Sequence, residues 1–104
     1  MSFYELLIDN LFVGESVKDV STVIYSLNKN ISVFNIYLIC YNEIKNNIEI
    51  LSSNEFIKKR NENKYSKVFG IAGGKLEAYS LVRYIYQDVI DNKKDIKNLG
   101  DIFV

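Results

Sequence analysis

The sequence predicts a single α+β domain in which a small, mostly antiparallel three-stranded sheet is packed by a long C-terminal helix and by N-terminal helices. Three observations carry that expectation. Lys75 to Asn92 holds the best helical pattern of the chain, with Ala78, Leu81, Val82, Ile85 and Val89 recurring at intervals of three and four. Ile31 to Tyr41 is β-branched and aromatic, and both of its alternating faces are largely apolar, as a central strand requires. The 104 residues, 48% of them apolar, fit one domain of the commonest size, about 100 to 150 residues, with its own core.

The elements follow in order. Ser2 with Glu5 has capping-box spacing, and Phe3, Leu6, Leu7 and Leu11 recur helically until Gly14, so a first helix is expected over about 3 to 12. Ser16 with Asp19 opens a second segment, where Val17, Val20, Val23, Ile24 and Leu27 repeat at three and four before Asn28 and Asn30. Its β-branched content leaves helix and strand both open for residues 17 to 28. In the strand that follows, Ser32, Phe34, Ile36, Leu38 and Cys40 share one face, and Val33, Asn35, Tyr37, Ile39 and Tyr41 the other.

The polar stretch Asn42 to Asn47 separates this strand from Ile48 to Leu51 and predicts a hairpin with a longer loop. Ser52 and Glu55 repeat the capping-box spacing ahead of a short helix over about 53 to 60. Arg60 to Lys67 reads as an exposed loop, Lys67 to Ala72 as a short strand, and Gly73-Gly74 as the break before the last helix. Antiparallel placement of that strand is the leading topology, and a parallel placement through a crossover over residues 52 to 66 is the alternative. Beyond the last helix, Ile96, Leu99, Ile102 and Phe103 suggest a segment docked on the body.

Composition removes more chemistry than any motif supplies. There is no His, so no Ser-His or Cys-His couple and no imidazole metal ligand. One Cys cannot make a thiolate metal site, and Cys40 sits in an apolar strand where a thiol packs as a small hydrophobe. No metal site and no cofactor is therefore expected. Thirteen basic residues balance thirteen acidic ones, which removes the overall field that gathers nucleic acid or anionic lipid. No apolar run approaches the roughly 20 residues of a membrane span. The acidic, signal-free first ten residues point to a cytoplasmic location.

Four local features remain. A strand running into Gly73-Gly74-Lys75 and then a helix can bind an anion, because the first helical N–H groups lack partners and glycines admit a close approach. The spacing is neither a Walker loop nor a dinucleotide fingerprint, and the plainer reading is a tight turn. Lys58, Lys59, Arg60, Lys64 and Lys67 form the only basic concentration, which reads as a solvated face, so nucleic acid is not expected. Glu77 and Asp88 share a helix face about 16 Å apart, too far to act on one bond. Tyr79, Tyr84 and Tyr86 put three of the eight tyrosines on the last helix, as interface anchors or as side chains lying along the surface.

The functional expectation is a non-enzymatic protein-binding or accessory domain that meets a protein partner or pairs as a homodimer. The alternative is a domain that binds or transforms a phosphorylated small molecule at Gly73, Gly74 and Lys75.

Overall fold

The computed structural model describes residues 3 to 62 and 64 to 91, with side chains through 88. It is an α+β domain. Its elements run α1 (Phe3–Leu6), β1 (Leu7–Val13), α2 (Val20–Asn28), β2 (Ile36–Asn42), β3 (Asn47–Ser52), α3 (Ser53–Lys59), a 3₁₀ turn (Arg60–Glu62), β4 (Tyr65–Gly73) and α4 (Lys75–Asp91). The four strands lie in the order β1-β4-β2-β3. β2 pairs antiparallel with both β3 and β4, while β1 pairs parallel with β4. The sheet is thus four-stranded and mixed, not three-stranded. Since β3 and β4 both oppose β2, they run the same way on either side of it, joined across α3.

The added strand is the part of the chain expected to be helical. Phe3–Leu6 does form a helical turn, but Leu7–Val13 is extended. Its apolar residues come in two pairs, Leu7-Ile8 and Leu11-Phe12, around exposed Asp9 and Asn10. Leu7 and Leu11 pack with one core cluster and Ile8 and Phe12 with the other, which a one-sided helical stripe cannot do. The register jumps between Leu7↔Val68 and Phe12↔Gly70, so a wide bulge carries the polar pair. An available neighbour, β4, outweighs the local 3-4 spacing here.

Residues 17 to 28 resolve as helix from Val20, and the cap is Asp19, whose carboxylate accepts the Thr22 N–H at 3.1 Å. Ser16 does not open this helix. β2 starts at Ile36, later than expected, because Asn30 and Asn35 adopt left-handed backbone (φ 61° and 59°) and hold the intervening residues in a loop. Phe34, placed by alternation on a strand face, is instead 96% exposed on that loop.

The hairpin forms with Asn42 opposite Asn47, and the buried Asn42 side chain accepts the N–H groups of Ile44 and Lys45 to shape its turn. Both halves of the Ser52/Glu55 capping box are present at α3. Ser2, Asn92 and the apolar positions Ile96, Leu99, Ile102 and Phe103 lie outside the described residues.

The sheet is covered on both faces. α1, α2 and α3 bring Phe3, Leu6, Val23, Leu27 and Phe56 onto Leu38, Cys40, Leu51, Val68 and Ile71. On the other face α4 sets Ala78, Leu81 and Ile85 on Ile39, Phe69 and Ala72. Phe69 is an extra residue in β4, because Ile39 pairs with Gly70 and Cys40 with Val68. A Cβ on Gly70 would meet Leu81 Cδ2 at 3.0 Å and Ile39 Cδ1 at 3.2 Å, so glycine is what lets α4 come so close to the sheet.

Cys40 is fully buried, and burial pushes its thiol well above the ordinary range, with the Glu49 charge adding to the shift. A thiol reagent is therefore expected to label it only through opening of the fold. Labelling should be slow in buffer and fast in denaturant, and fast labelling in buffer would contradict the packing of this strand.

Candidate functional site

The strand-to-helix junction is built by Gly73, Gly74 and Lys75. Gly74 adopts φ 107°, a conformation that glycine takes without a Cβ penalty, and this turns the chain from β4 into α4. The first turn closes by Ala78 N–H donating to the Gly74 carbonyl at 3.1 Å. One group already lies at the helix mouth. Glu77, in the first turn, sends its carboxylate back to accept the Gly73 N–H at 2.7 Å. The same carboxylate accepts the Ser16 N–H at 3.1 Å and the Ser16 hydroxyl at 2.7 Å.

Burial raises the Glu77 carboxyl, but the hydrogen bonds from Gly73 and Ser16, with the Lys18 charge, outweigh it and leave the group below the ordinary glutamate range. Gly14 is needed beside it, since a Cβ there would fall 1.9 Å from Glu77 Oε1. Ser16, expected as a helix opener, thus serves to bind the loop after β1 to the start of α4.

Directly next to this junction, the end of β1 and one flank of α4 enclose an open groove of about 830 Å³. Phe12 and Leu81 form its floor, Val13, Leu76 and Tyr84 its apolar walls, and Glu15, Glu77 and Asp88 its acidic margin. Leu76 is 83% exposed and Tyr84 68%. Among the described residues no Lys or Arg lines the groove. Glu77 and Asp88, read from sequence as charges on one face, therefore meet at a shared concavity.

Tyr79 and Tyr86 are also exposed but lie on the opposite flank of α4 with Val82. That flank faces the β2 and β3 side, where Tyr37, Tyr41, Ile48 and Ile50 are only partly buried against the second cluster. The three tyrosines are therefore not one surface: Tyr84 belongs to the groove, and Tyr79 and Tyr86 to the apolar flank.

Two members of the basic concentration are held by neighbouring groups. Arg60 donates to the Leu27 carbonyl at 2.9 Å and to Asn30 Oδ1 at 3.0 Å, binding the end of α2. Lys64 pairs with Glu62 at 2.7 Å. Glu49 accepts from Tyr65 at 2.6 Å and from Asn42 at 3.1 Å, a polar cluster that ties β2, β3 and β4 together. Among the described residues no three His, Cys, Asp or Glu side chains come together as a metal site, and no helix is long and apolar enough to cross a membrane.

The residues that sequence reasoning missed are Phe12, Val13, Gly14, Glu15 and Leu76. With β1 read as helix, nothing placed its end beside α4. The signal available was Gly14 followed by Glu15 and Ser16, a turn with two polar groups immediately after an apolar pair.

Neither a protein-family model, nor a curated protein, nor a solved structure matches this chain.

Proposed function

We propose that this is a non-enzymatic protein-binding or accessory domain that acts through the outer surface of α4. The observation that carries the reading is that four of the ten large apolar side chains exposed among the described residues, Leu76, Tyr79, Tyr84 and Tyr86, stand on this one helix. Tyrosine combines a rigid apolar body with a polar tip, which is why interfaces are enriched in it. A second copy of the chain is the first partner to consider for the Tyr79 and Tyr86 flank, since that flank and the half-covered Tyr37, Tyr41, Ile48 and Ile50 are apolar and self-association about a twofold is common. A cytoplasmic setting belongs to the same proposal and rests on a composition with a single, buried cysteine.

Sedimentation over a wide concentration range, combined with capture of partners from the source cell, tests the reading. Association that weakens when Tyr79 and Tyr86 are both changed to Ser is the expected result. A strictly monomeric protein that retains no partner would overturn it.

The alternative reading, a phosphorylated small molecule at Gly73, Gly74 and Lys75, faces a specific obstacle. Such a ligand would have to displace the Glu77 carboxylate from the Gly73 N–H or bind beside a like charge. Titration with phosphate, sulfate and nucleotides separates the two readings through the amide resonances of residues 73 to 77. If they move at low ligand concentration, the alternative gains.

A further inference from the structure

The sheet ends in β1 on one side and in β3 on the other, and the two edges are built differently. β1 breaks its ladder in a bulge around exposed Asp9 and Asn10, a device that keeps further strands from pairing. β3 holds an unbroken register with β2, from Tyr37↔Ser52 to Asn42↔Asn47. We propose that the outer edge of β3 is the surface by which two copies of this chain pair, antiparallel about a twofold axis, into one continuous sheet. The inference rests on reading the domain as protein-binding and goes beyond it by placing a second copy at a backbone edge rather than on α4.

The hydrogen bonds around β3 fix which of its backbone groups face outward. In an antiparallel ladder the backbone groups of successive residues point to opposite sides. The Ser52 N–H donates to Glu55 Oε1 at 3.0 Å and so does not turn to β2. By alternation Ile50 and Ile48 also point away from β2, while Asn47, Glu49 and Leu51 face it. Glu43 agrees with this phase. Its N–H donates to the Lys64 carbonyl next to β4 at 2.8 Å, which leaves Asn42, Cys40 and Leu38 to face β3.

Outward groups on Ile48 and Ile50 are self-complementary. Setting Ile48 opposite Ile50 of the second copy, and Ile50 opposite its Ile48, closes two hydrogen-bonded pairs, each exchanging both N–H···O bonds. The side chains suit the same register. Ile48 and Ile50 lie on the α4 face of the sheet, partly buried beside Tyr37 and Tyr41, and pairing lays each against an isoleucine of the second copy. Glu49 then meets its counterpart at the axis, where facing carboxylates would repel. Its carboxylate is turned inward instead, accepting from Tyr65 on β4 at 2.6 Å and from Asn42 at 3.1 Å, with Lys45 at 3.9 Å.

The strand, Asn-Ile-Glu-Ile-Leu-Ser, has no Lys, no Pro and no bulge, the features that ordinarily blunt an edge. A twofold also stops where it should: the outer edges of the joined sheet are the two bulged β1 strands, so the assembly closes at a dimer.

Sedimentation of the full chain should show monomer passing to dimer, with no larger species, as concentration rises to about 1 mM, since so short a pairing falls at the small end of interfaces. Over the same range the Ile48 and Ile50 amides should slow severalfold in hydrogen exchange. A mixture of ¹³C-labelled and unlabelled chains should give a filtered Overhauser contact between the Glu49 Hα protons of two copies, the mark of this register. Ile48→Lys should abolish the dimer, and its amide spectrum reports whether the monomer keeps its fold; the measurements on the parent hold whatever the variant does.

Dimers whose intercopy contacts come from Tyr79 and Tyr86, with the Ile48 and Ile50 amides exchanging as in the monomer, would overturn the edge pairing and leave the protein-binding reading in place. Contacts to β3 from residues 92 to 104 of the same chain would overturn it as well, and so would a chain that stays monomeric but captures another protein. A monomer that captures nothing removes the broader reading too, so the two failures are distinguishable.

Discussion

Phe56→Ala is expected to destabilise the domain by about 3 to 5 kcal/mol, the range for emptying an aromatic site in a core. Phe56 is fully buried, and its ring meets Phe3 edge-on at 5.4 Å and Tyr65 at 6.5 Å. The size of the effect follows from what the ring connects. α3 has only seven residues and is too short to hold as an isolated helix, so the Ser52/Glu55 box sets where it begins while Phe56 fixes it to the sheet. α1 is shorter still and is held by Phe3 against the same ring.

Set against a whole-domain stability of about 5 to 15 kcal/mol, the loss would bring the variant close to unfolding at ambient temperature. Urea unfolding followed by circular dichroism measures it. Phe34→Ala supplies the contrast, because the same side chain on an exposed loop should change stability by no more than about 0.5 kcal/mol. Similar losses at the two positions would contradict the core described for this face.

The sequence showed most clearly those features whose cause is local. The capping box at Ser52 and Glu55 formed as its spacing required, the alternation of β2 put Leu38 and Cys40 on one face and Ile39 on the other, and the α4 stripe buried Ala78, Leu81 and Ile85. What local pattern could not convey was decided by distant neighbours. Leu7–Val13 is extended because β4 offers it a parallel ladder more than 50 residues further along the chain.

The groove suffered the same loss, since one of its walls is the end of that unforeseen strand. Tyr84 was legible as an exposed aromatic, but its separation from Tyr79 and Tyr86 depends on which edge of the sheet each flank of α4 overlooks. At the junction, Gly73-Gly74-Lys75 correctly marked a strand turning into a helix. The acceptor at its mouth could be found only by knowing that Ser16 lies there as well.

Removing that acceptor is expected to loosen both the junction and the groove. Glu77→Ala leaves the Gly73 and Ser16 N–H groups and the Ser16 hydroxyl without their carboxylate. Hydrogen bonds to a charged group contribute about 1.5 to 3 kcal/mol each when sheltered, but water can replace part of these, so a total of about 1 to 3 kcal/mol is expected. Gly14→Ala should cost a similar amount by a different route, because its new Cβ occupies the space of Glu77 Oε1 and expels the carboxylate.

The double variant then has little more to lose, and the two effects should fall short of adding by at least about 1 kcal/mol. Full additivity would mean that Gly14 and Glu77 act separately. Acid gives a second readout. The Glu77 carboxyl lies below its ordinary value of 4.5 in the folded chain, so its stabilisation is fully present above that pH and disappears as pH falls through the folded value. Asp19, Glu49 and Glu55 are lowered as well, so the domain should lose stability in acid even without Glu77, but less steeply in Glu77→Ala than in the parent.

The same variant bears on function. With the carboxylate removed, the helix mouth regains the Gly73 N–H donor, and phosphate should shift the amides of residues 73 to 77 in Glu77→Ala at concentrations that leave the parent unmoved. A parent that responds as strongly as the variant would show that the carboxylate does not guard this position, and the phosphorylated-ligand reading would then stand ahead of the protein-binding one.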